Sequence, residues 1–420
     1  MQVYSQLYEL YDSTDTETLR ARQDLVNVFP PLDSQVSLQQ WESVRDDLDQ
    51  QKTQIRRSFP NGDAYAEIAA HATESQAFTA LDLYNKYERP INALVLDVDE
   101  TLRSASTTDN EIPRDTLYFL TELHERGVPI VICTGQTLEN VKGFMIQGLG
   151  SEIVHSGDLS IVYEAGTGVF TPEHGAETKR LLYESLDDDI VDVFDAVRSR
   201  VLSDAPEDLR RNCHLQGNEF NITVKPNFKI GSERAREIID AGLVHQLELL
   251  GEAVATQLGY LSDEGRQWTK AFYADADPEI DGVLTERKET SECKVSDVPE
   301  DVSALFERID VAYYEADAAE IGSLELNKVA GVEAAFDVLG IDDPFAVAMG
   351  DSKSDLRVMR WLTETGTGIS AAPGHASTDV LDFVRETDEL VFDEGKSSKM
   401  LRAIYALNEL AATYRSRRGA

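Results

Sequence analysis

Apolar residues along the chain fall into two patterns. Unbroken runs occur at Ala93-Leu94-Val95-Leu96, Val128-Pro129-Ile130-Val131-Ile132-Cys133 and Phe345-Ala346-Val347-Ala348-Met349. Such runs suit strands buried on both faces of a parallel sheet, although periodicity alone leaves a buried helical segment open. Elsewhere apolar positions recur at helical spacing, as in Val3, Leu7, Leu10 and Tyr11, or Trp41, Val44, Leu48 and Ile55. Pro30-Pro31 and Phe59-Pro60-Asn61-Gly62 break the first 90 residues into three helical pieces. Glu111-Ile112-Pro113-Arg114 starts a helix through Leu117, Leu120 and Leu123, ended by Gly127. That makes strand, helix, strand, a unit that demands a right-handed crossover and a parallel sheet. Thr137 begins a further helix through Val141 and Phe144, and the stretch from Gly157 to Phe170 reads as a hairpin.

Residues 171–323 separate the strand ending in Thr134-Gly135 from Lys328 and are too many for a loop in a compact domain. They predict an inserted α+β domain. Phe220-Asn221-Ile222-Thr223-Val224 alternates as a half-buried strand, and Val311-Ala312-Tyr313-Tyr314 reads as another. Ser232 caps a helix with the stripe Ile239, Leu243, Leu247, Leu250, Val254 and Leu258, ended by Gly259. Lys328 then opens an amphipathic helix through Val332, Phe336 and Leu339, with Gly340 as its cap. Gly366 to Pro373 adds a short strand, and Ser397 to Tyr414 a helix with a basic end at Arg415-Ser416-Arg417-Arg418. The expected division is a helical N-terminal extension (1–90), a core in two parts (91–170 and 324–420), and the insertion (171–323) between them. The extension packs on the core or on a partner, and offers a surface for self-association.

Composition narrows the function classes. Of 420 residues, 42% are hydrophobic, enough for more than one core, and no apolar run reaches membrane-spanning length. The start, M-Q-V-Y-S-Q-L-Y-E-L, has no basic flank or apolar stretch of a secretory leader. Three scattered cysteines, Cys133, Cys213 and Cys293, provide neither a disulfide framework nor a C-x-x-C site, which suits reducing cytoplasm. The 77 acidic residues against 39 basic ones give a net charge of -38, which repels nucleic acid and anionic lipid. At molar salt the Debye length falls to about 3 Å and the self-repulsion is screened, so the charge suits a halophilic, salt-in archaeal cytoplasm.

The chemistry lies where the apolar runs end. Asp97, Asp99, Glu100 and Thr101 follow the first run, Thr134-Gly135 the second, and Gly350-Asp351-Ser352-Lys353-Ser354-Asp355 the third. Ligands of open α/β sheets sit outside the carboxyl ends of strands, and acids clustered there call for a cation or a protonation. D-x-D-x-T, T-G, a helix-opening Lys and G-D-S-x-x-D, in that order, resemble the four motifs of the haloacid dehalogenase-like phosphohydrolase superfamily. The resemblance implies an α/β fold with a Rossmann-like parallel-sheet core. A large α+β insertion between the second and third motifs resembles the C2-type cap of its Cof-like branch, subfamily IIB.

The resemblance also implies roles. Asp97 would be the nucleophile that becomes an aspartyl phosphate, and Asp99 the acid that protonates the leaving group and then activates water. Asp97, Asp351 and the backbone carbonyl of Asp99 would hold Mg²⁺, with Asp355 orienting its waters. Thr134 and Gly135 would hold phosphate oxygens, and Lys328 would offset the charge of nucleophile and phosphoryl group. The implied activity is Mg²⁺-dependent hydrolysis of a small phosphorylated metabolite, a sugar phosphate or a phosphoglycolate-like compound. A phosphomutase, or a non-catalytic binding or regulatory protein on the same fold, are the rivals. Two positions depart from the family pattern: Glu100 stands where Gly is commonest, and Gln136 where the Cof-like branch often has Arg. His155 and His375 could lie near the cleft, and Arg210, Arg211, Lys225 and Lys229 could meet an anionic leaving group or pair with carboxylates. G-x-S-x-G and G-x-x-x-x-G-K signatures are absent.

Overall fold

All three apolar runs form strands. The structure, a computed structural model, describes residues 2–28, 35–103, 112–175, 180–227 and 230–418. Pro30-Pro31, Glu111 and Lys229 lie outside the described residues. In chain order the strands are β1 (Ala93–Leu96), β2 (Ile130–Cys133), β3 (Leu159–Tyr163), β4 (Gly168–Phe170) and β5 (Arg180–Leu181). The insertion follows with β6 (Cys213–Gln216), β7 (Asn221–Pro226), β8 (Ile309–Tyr314) and β9 (Ala318–Ser323). Last come β10 (Ala346–Met349), β11 (Gly368–Pro373) and β12 (Leu390–Phe392). The central sheet runs β12-β11-β10-β1-β2-β3-β4-β5. Its β12-to-β3 pairings are parallel. β1, β2 and β10 are buried at every residue, which is why their sequences show no alternation.

The order places the site. From β1 the chain winds one way through β2 and β3, and after the insertion it returns on the other side of β1 as β10 and winds outward to β12. The β1/β10 boundary is therefore the topological switch point, where a crevice opens beyond the strand ends.

The chain forms two compact units. One comprises Met1–Ala165, Val169–Arg180 and Gly331–Ala420, and the other Gly166–Gly168 and Leu181–Ala330. In the second unit the sheet order is β6-β7-β9-β8, antiparallel throughout. Ile222, Val224, Ile321 and Val311 share an apolar core with Leu243, Leu247 and Leu250 of the helix Ser232–Leu258. The alternating residues Asn221, Thr223 and Glu320 are joined by hydrogen bonds, from Asn221 Nδ2 and Thr223 Oγ1 to Glu320 at 2.8 and 3.0 Å. The stripe from Ile239 to Leu258 lies on that helix, but Gly231, not Ser232, is its N-cap. Gly166 (φ +105°) could carry no side chain, since a Cβ would stand 2.0 Å from the Asn327 carbonyl oxygen. β6 escaped the pattern because it is short, and β9 because Ala318-Ala319-Glu320-Ile321-Gly322-Ser323 has almost no strand-favouring residue.

Among the described residues of the first 87 there are five helices, Gln2–Ser13, Thr16–Val28, Gln35–Ser58, Gly62–His71 and Glu74–Tyr87, where the sequence predicts three. The two extra breaks use no Pro or Gly. Asp15 Oδ1 accepts the Thr18 amide at 3.1 Å, and Thr73 forms a capping box with Gln76. These helices share one apolar core with the central sheet, since Leu7, Leu10, Leu48 and Tyr65 join Leu94, Ile130 and Leu401.

His71 lies inside that core, against Tyr118, Phe119 and Tyr405. Its ring contacts the Glu67 carbonyl oxygen at 2.9 Å and the Tyr118 hydroxyl at 3.1 Å. Burial first, then the Lys52 ammonium, pushes its pKa down to about 3. The imidazole is therefore neutral at neutral pH, and Glu67 Oε2 at 3.6 Å is no ion-pair partner. A proton binds His71 in the unfolded chain near pH 6.5 but in the folded one only near 3. The contribution is thus complete above 6.5 and is lost as pH falls from there towards 3. Denaturant unfolding at pH 6.5 and 4.5 should show His71→Gln losing about 2 kcal/mol less than the native chain over that interval.

Candidate active site

Asp97 comes one residue after β1, and its amide continues the pairing by donating to the Met349 carbonyl at 2.9 Å. Gly350 and Asp351 follow β10 next door, so the switch point brings the first and last motifs together. Asp97 and Asp355 are buried and Asp351 is half-buried. One carboxylate oxygen from each lies within 4.8 Å of the others.

Asp355 is held by its own loop. Its Oδ2 accepts the amides of Asp351 at 3.3 Å and Ser352 at 3.1 Å, and the Ser352 hydroxyl at 2.6 Å. Ser352 and Asp355 form the capping box that starts the helix Lys353–Thr365. Gly350 makes this possible, because a Cβ there would stand 2.3 Å from Asp355 Cβ and Cγ. The loop after β11 adds a hydrogen bond from the Ser377 amide to the Asp351 carbonyl at 2.9 Å.

Thr134, buried, follows β2, and its amide donates to the Val162 carbonyl at 2.9 Å. Its hydroxyl accepts the Gln136 amide at 3.1 Å. Gly135 is exposed, and a Cβ there would meet nothing within 4 Å, so its surroundings are open. Lys328 is buried at the first position of the helix Lys328–Leu339. That helix starts where the motif places it because Asn327 Oδ1 accepts the amides of Val329 and Ala330 at 2.8 and 3.1 Å.

Asp99 stands apart from the three clustered carboxylates. Its Oδ1 accepts Arg103 Nε at 2.9 Å and a terminal guanidinium nitrogen at 2.7 Å, and its Oδ2 accepts Gln136 Nε2. Its carboxylate is not among the three that cluster. Arg103 was not singled out from the sequence. Its distance of four residues from Asp99, opposite in charge, was the available signal.

Both departures from the family pattern have local accounts. Glu100 has φ +58°, a left-handed conformation that Gly adopts most easily, so this chain places a glutamate where the turn favours glycine. Its carboxylate reaches His375 Nε2 at 3.7 Å. Gln136 takes up Asp99. His155 instead lies 3.9 Å from Glu173, with both side chains more than half exposed. In the second unit Arg211 pairs with Glu207 at 2.5 Å and Lys225 with Asp317 at 3.3 Å, while Arg210 is exposed.

Comparison with known proteins agrees with this geometry. Residues 94–190 match the family model of haloacid dehalogenase-like hydrolases. Over that stretch the chain is similar to this family. The match spans D-x-D-x-T and T-G, while Lys328 and G-D-S-x-x-D lie beyond it. No curated protein matches the chain. Similar solved structures include a trehalose-6-phosphate phosphatase from Aspergillus fumigatus, at 15% identity and TM-score 0.42, covering 79% of this chain and 97% of that one. Another is a haloalkanoate dehalogenase superfamily phosphatase from Bacteroides thetaiotaomicron, at 16% identity and TM-score 0.43, covering 76% and 96%. A third is a subclass IIB sugar phosphatase, at 17% identity and TM-score 0.40, covering 74% and 97%. At these values the structural similarities carry no argument. Among the described residues no helix is long and apolar enough to cross a membrane.

Proposed function

We propose that this hydrolase is a Mg²⁺-dependent phosphatase acting on a small phosphorylated metabolite through an aspartyl phosphate. The observation that carries the reading is the convergence of Asp97, Asp351 and Asp355 at the switch point of the sheet. Three hard oxygen donors in that space, two of them buried, fit a divalent cation such as Mg²⁺. Asp97 and Asp351 would hold the ion directly, and Asp355 from behind. Bound there, the ion would neutralise carboxylate and phosphate charge.

A carboxylate oxygen of Asp97 attacks phosphorus as the bond to the leaving oxygen breaks, and Asp99 gives that oxygen its proton. Water then attacks the aspartyl phosphate, giving a proton to Asp99, and the Asp97–phosphorus bond breaks to release inorganic phosphate. Thr134 and the Gly135 amide hold the phosphoryl oxygens, and motif order assigns Lys328 to their charge. The insertion, residues 171–323, takes the part of a C2-type cap, and the substrate is a small phosphorylated metabolite such as a sugar phosphate. The surface charge fits work in concentrated salt.

Phosphate release from an aryl phosphate, with and without Mg²⁺ at low and molar KCl, tests the reading. Release should require Mg²⁺ and persist or rise in molar KCl. Folded protein that releases no phosphate from aryl or sugar phosphates in either salt would overturn it.

A further inference from the structure

We propose that Arg103 and Gln136 are positioning residues that clamp the Asp99 carboxylate from opposite oxygens, setting where it meets the leaving group. The proposal rests on the phosphatase reading above. Asp99 sits on a loop with its side chain 49% exposed, where an aspartate left to itself would sample several rotamers. Here both oxygens are engaged. Arg103 donates two hydrogen bonds to Oδ1, at 2.9 and 2.7 Å, and Gln136 Nε2 donates to Oδ2. Donors on both oxygens fix the rotation of the carboxylate plane as well as the direction of the side chain.

The donors are themselves anchored on different strand ends. Arg103, with a side chain only 12% exposed, lies on the loop after β1, where its amide donates to the Val98 carbonyl at 3.1 Å. Gln136 lies on the loop after β2. Its amide donates to the Thr134 hydroxyl at 3.1 Å, and its carbonyl accepts the Glu164 amide at 2.9 Å. Through Thr134 the residue that orients the acid is tied to the residue assigned to the phosphate. The clamp thus couples acid to phosphoryl position, the kind of preorganisation in which an error of about 1 Å can cost about 100-fold in rate.

A glutamine suits this task in a way an arginine would not. Arg103 already supplies the positive charge beside Asp99, on Oδ1, and Gln136 has only to hold Oδ2. A neutral amide adds direction without adding charge.

The test is single-turnover release of the leaving alcohol by Gln136→Ala, Arg103→Ala and Arg103→Lys, with Mg²⁺, from an alkyl phosphate and from nitrophenyl phosphate. Nitrophenolate departs without a proton, so it reports the rest of the site. The two alanine variants should lose about 10- to 100-fold with the alkyl phosphate and at most about 3-fold with nitrophenyl phosphate, with KM unchanged within about 3-fold. Arg103→Lys should recover part of the loss. Equal losses on both substrates, a rise in KM at constant rate, or no loss would overturn the clamp while leaving the phosphatase standing. A native chain that releases no alcohol from either substrate would remove both.

Discussion

Asp97→Asn should abolish Mg²⁺-dependent phosphate release, with a loss on the order of 10⁴-fold or more, because an amide cannot form the phosphorylated intermediate. Removing a nucleophile while leaving the surrounding site in place is the most damaging single change to a covalent mechanism. The substitution keeps volume and shape at a buried position beyond β1, and the amide of residue 97 still pairs with Met349, so the fold should survive. The variant should differ in its response to metal. One of three oxygen donors would be neutral, so Mg²⁺ should raise the melting temperature of the native chain more than that of the variant. Thermal unfolding across a Mg²⁺ series, beside the phosphate assay, measures both effects. Undiminished release by the variant would exclude Asp97 as nucleophile, and with it the motif-based assignment of this site.

Gly350→Ala should come next in size. Gly350 carries no side chain of its own to the chemistry, and the motif G-D-S-x-x-D does not say why a glycine stands there. The added methyl carbon would stand 2.3 Å from Asp355 Cβ and Cγ and 2.7 Å from Oδ2, closer than real contacts allow. Asp355 must turn away, giving up the two loop amides and the Ser352 hydroxyl that it now accepts. The loop carrying Asp351 loses its brace at the same time. Disturbing a residue that supports a metal ligand typically weakens binding about 10- to 100-fold, and crowding of this kind costs about 2 kcal/mol of stability. Gly282→Ala, in the helix Pro278–Arg287 and away from every motif, is the matched control, since its methyl meets nothing within 4 Å and should cost little stability. The Mg²⁺ concentration for half-maximal activity, measured in all three proteins, reads the difference. A native-like value in Gly350→Ala would mean that Asp355 plays no part in holding the metal.

These two predictions differ in what they needed. Asp97 could be chosen from an apolar run followed by spaced acids, because a doubly buried strand must be continuously apolar and its carboxyl end is where an α/β sheet presents chemistry. Gly350 as a steric requirement could not, because its constraint comes from a side chain five positions on that folds back over it.

The sequence by itself determined the three central strands, the inserted unit, the helix opened by Lys328 and the order of the motifs. Each is encoded locally, in apolar runs of strand length, in helical spacing and in capping residues such as Asn327 and Gly340. Tertiary structure decided the rest. Winding outward on both sides of β1 brings Asp97 together with Asp351 and Asp355, and Asp99 is set apart from them by Arg103 and Gln136. It also joins the N-terminal helices and the central sheet in one apolar core, with a neutral histidine inside it. Chain pattern records which face a residue presents, but not which distant residue meets it there. That depends on how strands are ordered in the sheet, and no local propensity specifies strand order.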